Sequence, residues 1–316
     1  MPRTEEKGNQ LTEGRHEEYP TMLLRDVLLE RYAPLYQLAP RTIVLYGHTL
    51  DRFAEYLGRE PVLEDLDDIV VSQFLSHRLS DPKRPVRRTT VLKDRVQLCA
   101  IAAYCAKKRM ISEFLTLPPM RAAPRLPQAY LVEEVQAIVR AAGQLTGTES
   151  GKPAAWYWQT FVACMVQTAG RVGEVQAVTW QCVDRDRRCV TFLAETRKGR
   201  TRDVERGISA GLAAMLEKQR GEPGNAVWPW TKCQQVRWLR LKKLCKMAGV
   251  QYRAWHAFRK TAASYVAAGG GNAQQLLDHD RSSTSEKHYL DNRIVGRRVS
   301  AADVLPDFGL GDKPAA

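Results

Sequence analysis

No apolar run in this chain reaches the length needed to cross a membrane, and its first residues, Met1 to Pro20, are charged and lack the apolar centre of a secretion signal. These absences point away from the membrane and predict a soluble protein of the cytoplasm. Seven cysteines, at 99, 105, 164, 182, 189, 233 and 245, include no C-x-x-C pair, and no histidine stands near them at metal-ligand spacing. A disulfide framework and a zinc module are therefore not expected, and the cysteines read as reduced core residues. Carboxylates at two-metal spacing are missing, as is a G-x-x-x-x-G-K-[ST] phosphate loop, so neither a metal ion nor a nucleotide cofactor is expected. There is no internal repeat.

What the chain has in excess is positive charge. A net charge of +13 over 316 residues usually means a polyanionic partner, and nucleic acid is the commonest. The charge is clustered: Arg237, Arg240, Lys242, Lys243, Lys246, Arg253, Arg259 and Lys260 lie in one stretch that contains no acid. The length suits two domains, each with its own core.

Residues 1–20 have little to bury and read as a disordered tail. Apolar residues at three- and four-residue spacing then predict helices over Met22 to Tyr32, Ile43 to Leu57 with Thr42 as its cap, Asp67 to Leu79 and Thr89 to Lys108. Residues 21–112 thus form a small all-helical domain. In it the basic loop Lys83 to Arg88, with Arg87 and Arg88, and Lys93 on the helix that follows, are candidate phosphate contacts. A proline-rich linker is expected within 113–130, and a second domain over 131–300, followed by a tail at 301–316. The second domain opens with a helix at Val132, a polar turn from Gly143 to Gly151, and a helix from Trp156 to Thr168 that is apolar nearly all round. A strand over Cys189 to Leu193, a turn carrying Lys198 and a returning strand to Ile208 make a hairpin. Helices over Leu212 to Gln219 and Gln234 to Ala248 follow. The latter sets Trp238, Leu241, Cys245 and Ala248 on one face, with Lys242, Lys243 and Lys246 opposite. Arg240 completes the candidate DNA contacts. The fold class is mainly α with a small antiparallel sheet.

The candidate chemistry centres on His256 to Tyr289. His256 and Arg259, three apart on one helix, project from one face and suit the grip of a single anion, while His279 adds a donor and Tyr289 a hydroxyl able to attack. Arg171 and Glu174 precede them, one turn apart. Three stretches, Thr168-Ala169-Gly170-Arg171-Val172-Gly173-Glu174-Val175, His256-Ala257-Phe258-Arg259-Lys260-Thr261 and Thr284-Ser285-Glu286-Lys287-His288-Tyr289, stand in the order of the boxes of the tyrosine recombinase (phage integrase) family, which the chain resembles from about Pro20 to Arg298. Two positions depart from the family pattern. Asp278 stands where a glycine usually precedes the histidine of the third box, and Ala169 where a glycine is common.

The resemblance implies an N-terminal helical (SAM-like) core-binding domain ahead of an α+β catalytic domain. It implies a site-specific recombinase that cuts and rejoins double-stranded DNA through a 3′-phosphotyrosyl intermediate at Tyr289, with neither metal nor ATP. Arg171, Arg259 and His279 would neutralise the phosphate in its five-coordinate state, as fixed cations can. His256 is the implied proton acceptor and Lys198 the implied general acid, with Glu174 holding Arg171 or His256 in orientation. The implied partners are a specific recombination site, three further copies of the chain in a tetramer on two duplexes, and a possible directionality factor, with the protein at the nucleoid. Two other readings fit the same residues: a type IB topoisomerase that relaxes supercoils, and a non-catalytic DNA-binding protein on an integrase scaffold.

Overall fold

Pro34 has no N–H to give the carbonyl four residues earlier, and the first helical run loosens just before it. In the computed structural model, which describes residues 22–82, 86–123, 126–197, 199, 202–278 and 282–296, α1 (Leu24–Asp26) passes into a π-helical turn (Val27–Tyr32) and then α2 (Ala33–Leu35). The expected tails at 1–20 and 301–316 lie outside the described residues. The chain divides into two compact units, residues 1–124 and 125–316.

In the first unit, α3 (Pro40–Leu57), α4 (Asp68–Ser80) and α5 (Arg88–Lys107) follow. Thr42 does not cap α3 as its spacing suggests. The helix starts earlier, with Pro40 in its first turn, because proline has the φ of a helix and no amide to leave unbonded. Asp67 does cap α4, accepting from the amides of Ile69 and Val70 at 2.8 and 3.1 Å. Leu24, Leu28, Leu50, Phe53, Val71, Phe74 and Leu98 form the core of the unit. Asp94, buried on α5, ties that core together by accepting from Thr49 of α3 at 2.9 Å and Arg78 of α4 at 3.3 Å. Leu115 and Leu117, from the start of the expected linker, pack on the same core.

In the second unit α6 (Val132–Gly143) and α11 (His256–Ala268) pack on α7 (Ala154–Thr168). Tyr130, at the end of the stretch expected to be linker, is fully buried here, and its hydroxyl donates to the Arg253 carbonyl at 2.9 Å. Burial all round makes α7 the axis of the core, as its apolar sequence requires, and Trp158 and Phe161 are both fully covered. Each such side chain contributes roughly 1.5–3 kcal/mol. The stretch read as a turn from Gly143 to Gly151 instead holds half of a small hairpin, β1 (Thr148–Glu149) with β2 (Lys152–Pro153). The reason is Glu149. It is 1 % exposed and accepts from Trp158, Lys232 and Arg240 at 3.2, 2.6 and 2.7 Å, so a polar loop residue has become a buried cross-link.

After the five-residue α8 (Val172–Gln176), the main sheet has β3 (Val183–Asp184), β4 (Cys189–Phe192) and β5 (Val204–Gly207) in that order, antiparallel, with Val190 opposite Arg206 and Phe192 opposite Val204. The helices α9 (Ala210–Glu217), α10 (Gln234–Met247), α12 (Ala273–Leu277), α13 (Ser282–His288) and α14 (Asn292–Val295) complete the order. On α10 the expected buried face is shifted. Trp238 is 53 % exposed, and Arg237 is buried in its place with its guanidinium 4.9 Å from the Trp230 ring centre. No described helix is long and apolar enough to cross a membrane.

Candidate active site

The site starts where α7 stops. Ala169 takes the left-handed conformation, φ 52°, and ends the helix. A Cβ at Gly170 would lie 2.6 Å from the Val175 side chain, so only glycine lets α8 return this closely. Arg171 then stands at the cap of α8, and Glu174 reaches back to it, accepting from its amide at 2.8 Å and its guanidinium at 2.7 Å. Glu174 is 6 % exposed, so it is no surface charge, and it holds Arg171. Burial pushes the Glu174 carboxyl up, but the Arg171 amide and guanidinium, with the charge of Arg259, outweigh it and leave the group below the ordinary carboxylate range.

A depressed carboxylate contributes stability that is present above its unfolded value and lost as the pH falls through its folded one. Glu174→Gln is therefore expected to cost about 1–3 kcal/mol at pH 7, the order of an unsatisfied buried donor. The difference from wild type in urea unfolding should shrink below pH 4.5, the unfolded value. An equal difference at pH 7 and pH 3 would show that the charge is not what stabilises α8.

Arg259 lies on α11, 3 % exposed. Its guanidinium donates to the Ala169 carbonyl and, at 2.5 Å, to the Leu277 carbonyl at the end of α12, so one side chain spans three elements. Its Nε is buried with no partner among the described residues. Burial, and then the nearby charge of Arg171, push Arg259 down to about 10, still protonated at neutral pH. An anion set between Arg171, whose side chain is 33 % exposed, and the buried Arg259 would relieve both the burial and the repulsion.

Tyr289 follows α13 directly and brings its ring into this place. The His256 ring, exposed at the start of α11, meets it at 5.0 Å and 65°, and the Arg259 guanidinium carbon is 5.7 Å from its centre. The ring is 8 % exposed, among Ala169, Ala262, Ala263, Ala273 and Leu277. Small residues are what let an aromatic ring lie so close to α11. The backbone is held too: the Ser264 hydroxyl donates to the Tyr289 carbonyl at 3.2 Å and accepts from the Asp291 amide at 2.8 Å. Asp291 in turn accepts from the Ala129 amide at 2.7 Å and pairs with Arg293 at 2.7 Å. Sequence spacing singles out neither Ser264 nor Asp291, because their partners are distant along the chain. His288 is exposed beside this place.

Lys198 and His279 lie outside the described residues. The residues before them are placed. Asp278 has φ 51°, a left-handed conformation that favours glycine and that aspartate tolerates. Its carboxylate accepts from Arg197 at 2.7 Å and from Arg202 at 2.8 Å. Of the candidate DNA contacts, Arg87, Arg88 and Lys93 are exposed at the start of α5, and Lys242, Lys243 and Lys246 are exposed on α10. Arg240 differs, because its charge is already paired with the buried Glu149.

A sequence model of the phage integrase family matches residues 131–294, and a Haemophilus influenzae protein named as an integrase/recombinase is 26% identical over 321 residues, 96% of this chain and 83% of its own. Solved structures share the fold at low identity. The Tn1549 transposon integrase in complex with transposon right-end DNA superposes with a TM-score of 0.65 at 11% identity, over 89% of this chain and 97% of that one. A lambda integrase tetramer bound to a Holliday junction gives 0.63 at 17%, over 89% and 80%. The XerH site-specific recombinase bound to a palindromic difH substrate gives 0.59 at 18%, over 78% and 75%. The matched residues are just over half of the 316, and they contain Arg171, Glu174, His256, Arg259 and Tyr289 in the order and local setting described: the chain belongs to the phage integrase family, the tyrosine recombinases.

Proposed function

We propose that the protein is a site-specific DNA recombinase whose Tyr289 breaks and rejoins DNA strands in its own active site. The observation that carries the reading is the meeting of the Tyr289 ring with His256 and Arg259 of the same chain, beside Arg171. The Tyr289 hydroxyl attacks the scissile phosphorus, forming an O–P bond as the bond to the 5′ oxygen breaks. His256 takes the phenol proton, and Lys198 gives one to the departing 5′ oxygen. Arg171, Arg259 and His279 hold the non-bridging oxygens, whose charge grows in the five-coordinate state. The phosphotyrosyl ester keeps the energy of the broken bond, so the reverse attack by a 5′ hydroxyl needs no ATP, and side-chain cations take the place of a metal ion.

Residues 131–300 are the catalytic domain in this reading, and 21–112 a core-binding domain that grips the same duplex. Arg87 and Arg88 at the start of α5 support that role. Cations at a helix N-terminus, with no acid in the first turn, oppose the helix dipole until phosphates cover them. The exposed lysines of α10 supply a second basic surface. The working form is a tetramer on two duplexes, a reading supported by the lambda integrase tetramer bound to a Holliday junction, acting in the cytoplasm at the nucleoid, where a directionality factor can bias the outcome.

The test is exchange. Segments of the DNA flanking the gene, cloned as pairs in one plasmid, should be footprinted by the protein and yield deletion or inversion between the two copies. Relaxation of a plasmid lacking the segments, without exchange between paired ones, would move the chain to the topoisomerase reading.

A further inference from the structure

We propose that Asp278 is a positioning residue that holds Arg197 and Arg202, the described ends of the connection between β4 and β5, against the end of α12. This rests on the reading of Lys198 as the general acid, because Lys198 is the residue next to Arg197. The Arg197 side chain is 4 % exposed and the Asp278 side chain 12 %, so the 2.7 Å pair between them is shielded from solvent. The buried Arg197 guanidinium has two carboxylates in reach among the described residues, Asp278 and, at 3.8 Å, Glu174, which offset the cost of burying its charge. The other Asp278 oxygen takes Arg202, which is 76 % exposed, at 2.8 Å. Two further bonds tie the same parts together. Arg197 donates to the Arg202 carbonyl at 3.0 Å, and Arg206 of β5 donates to the Leu276 carbonyl at 2.8 Å.

The charges alternate along one path, Arg171, Glu174, Arg197, Asp278, Arg202. This order answers the difficulty that a carboxylate beside a phosphate site raises. With one arginine on each oxygen, the charge of Asp278 is covered, and the anion site of Arg171 and Arg259 is not opposed by a bare carboxylate. A glycine at 278 would meet the positive φ equally well and hold neither arginine. The side chain therefore adds something the backbone conformation does not require, a fixed distance between the α12 end and Arg197. A general acid acts only within hydrogen-bond reach of the oxygen it protonates, and a displacement of about 1 Å costs on the order of 10²-fold in rate.

Asp278→Asn keeps the shape and tolerates the left-handed conformation while removing the charge that holds both arginines. In single-turnover cleavage of nicked site DNA, we expect a loss of about 10–10²-fold. A substrate with sulfur in the bridging 5′ position, whose leaving group needs no proton, should recover most of it. Asp278→Asn combined with Lys198→Ala should be no slower than Lys198→Ala alone. Should Asp278→Asn fail to fold, Arg202→Ala at the exposed end of the clamp gives the same reading, with a smaller loss that sulfur again recovers. A loss that sulfur does not recover, one that multiplies with that of Lys198→Ala, or no loss at all would overturn the clamp. Lys198→Ala is itself the control. If sulfur rescues it and not Asp278→Asn, the clamp alone fails, and if sulfur does not rescue Lys198→Ala, the reading of Lys198 as the acid fails and takes the clamp with it.

Discussion

Tyr289→Phe is expected to abolish the covalent DNA adduct and leave folding and DNA binding intact. The substitution removes one oxygen from a ring that keeps its place by packing against His256 and the alanines of α11, and its backbone carbonyl is held by the Ser264 hydroxyl. The ring and its packing stay, so the loss of one oxygen is too little to unfold a unit of this size. Chemistry is another matter, because phenylalanine offers nothing to attack phosphorus and His288 beside it cannot form an equally stable ester. End-labelled nicked site DNA incubated with wild type should give a band that survives denaturant and is lost on protease digestion, and the variant should give none. The adduct should form equally well in EDTA. Its persistence in Tyr289→Phe, or a requirement for magnesium, would sink the mechanism proposed for this chain.

Arg259→Lys should lower cleavage by about 10²–10³-fold, the cost typical of removing a preorganised donor from a developing negative charge. The guanidinium binds the Ala169 and Leu277 carbonyls and still faces Tyr289. A lysine ammonium is a single point on a flexible stem and cannot span both carbonyls while meeting a phosphate. A carbonyl left without its donor should also lower stability by about 1–3 kcal/mol, measurable by urea unfolding. In the proposed mechanism the charge that Arg259 stabilises lies on the non-bridging oxygens, so the 5′-sulfur substrate should recover none of the rate. Near-wild-type cleavage by Arg259→Lys, or recovery on sulfur, would place Arg259 outside the phosphate grip.

Much of the fold and the candidate site was legible in the sequence because it is encoded locally. Arg171 with Glu174 and His256 with Arg259 are three residues apart, a spacing that sets two side chains on one side of a helical turn wherever the helix packs. The same holds for the apolar surround of α7, which requires burial in any helical fold. Trp238 and Arg237 show where local pattern stops. Spacing along α10 accepts either face as the buried one, and Trp230, close in sequence but placed by the packing of α7, stacks on Arg237 and turns it inward. Glu149 became a core residue for the same reason, since Lys232 and Arg240, more than eighty positions later, come to it only when β1 and α10 meet. Arg197 and Asp278, eighty-one positions apart, owe their pairing to the approach of the β4–β5 sheet to α12. The residue types of the candidate site were set by sequence alone. Which of them are held, and by what, depends on charges and hydrogen-bonding groups that have no fixed separation along the chain and find their partners only after the core has closed.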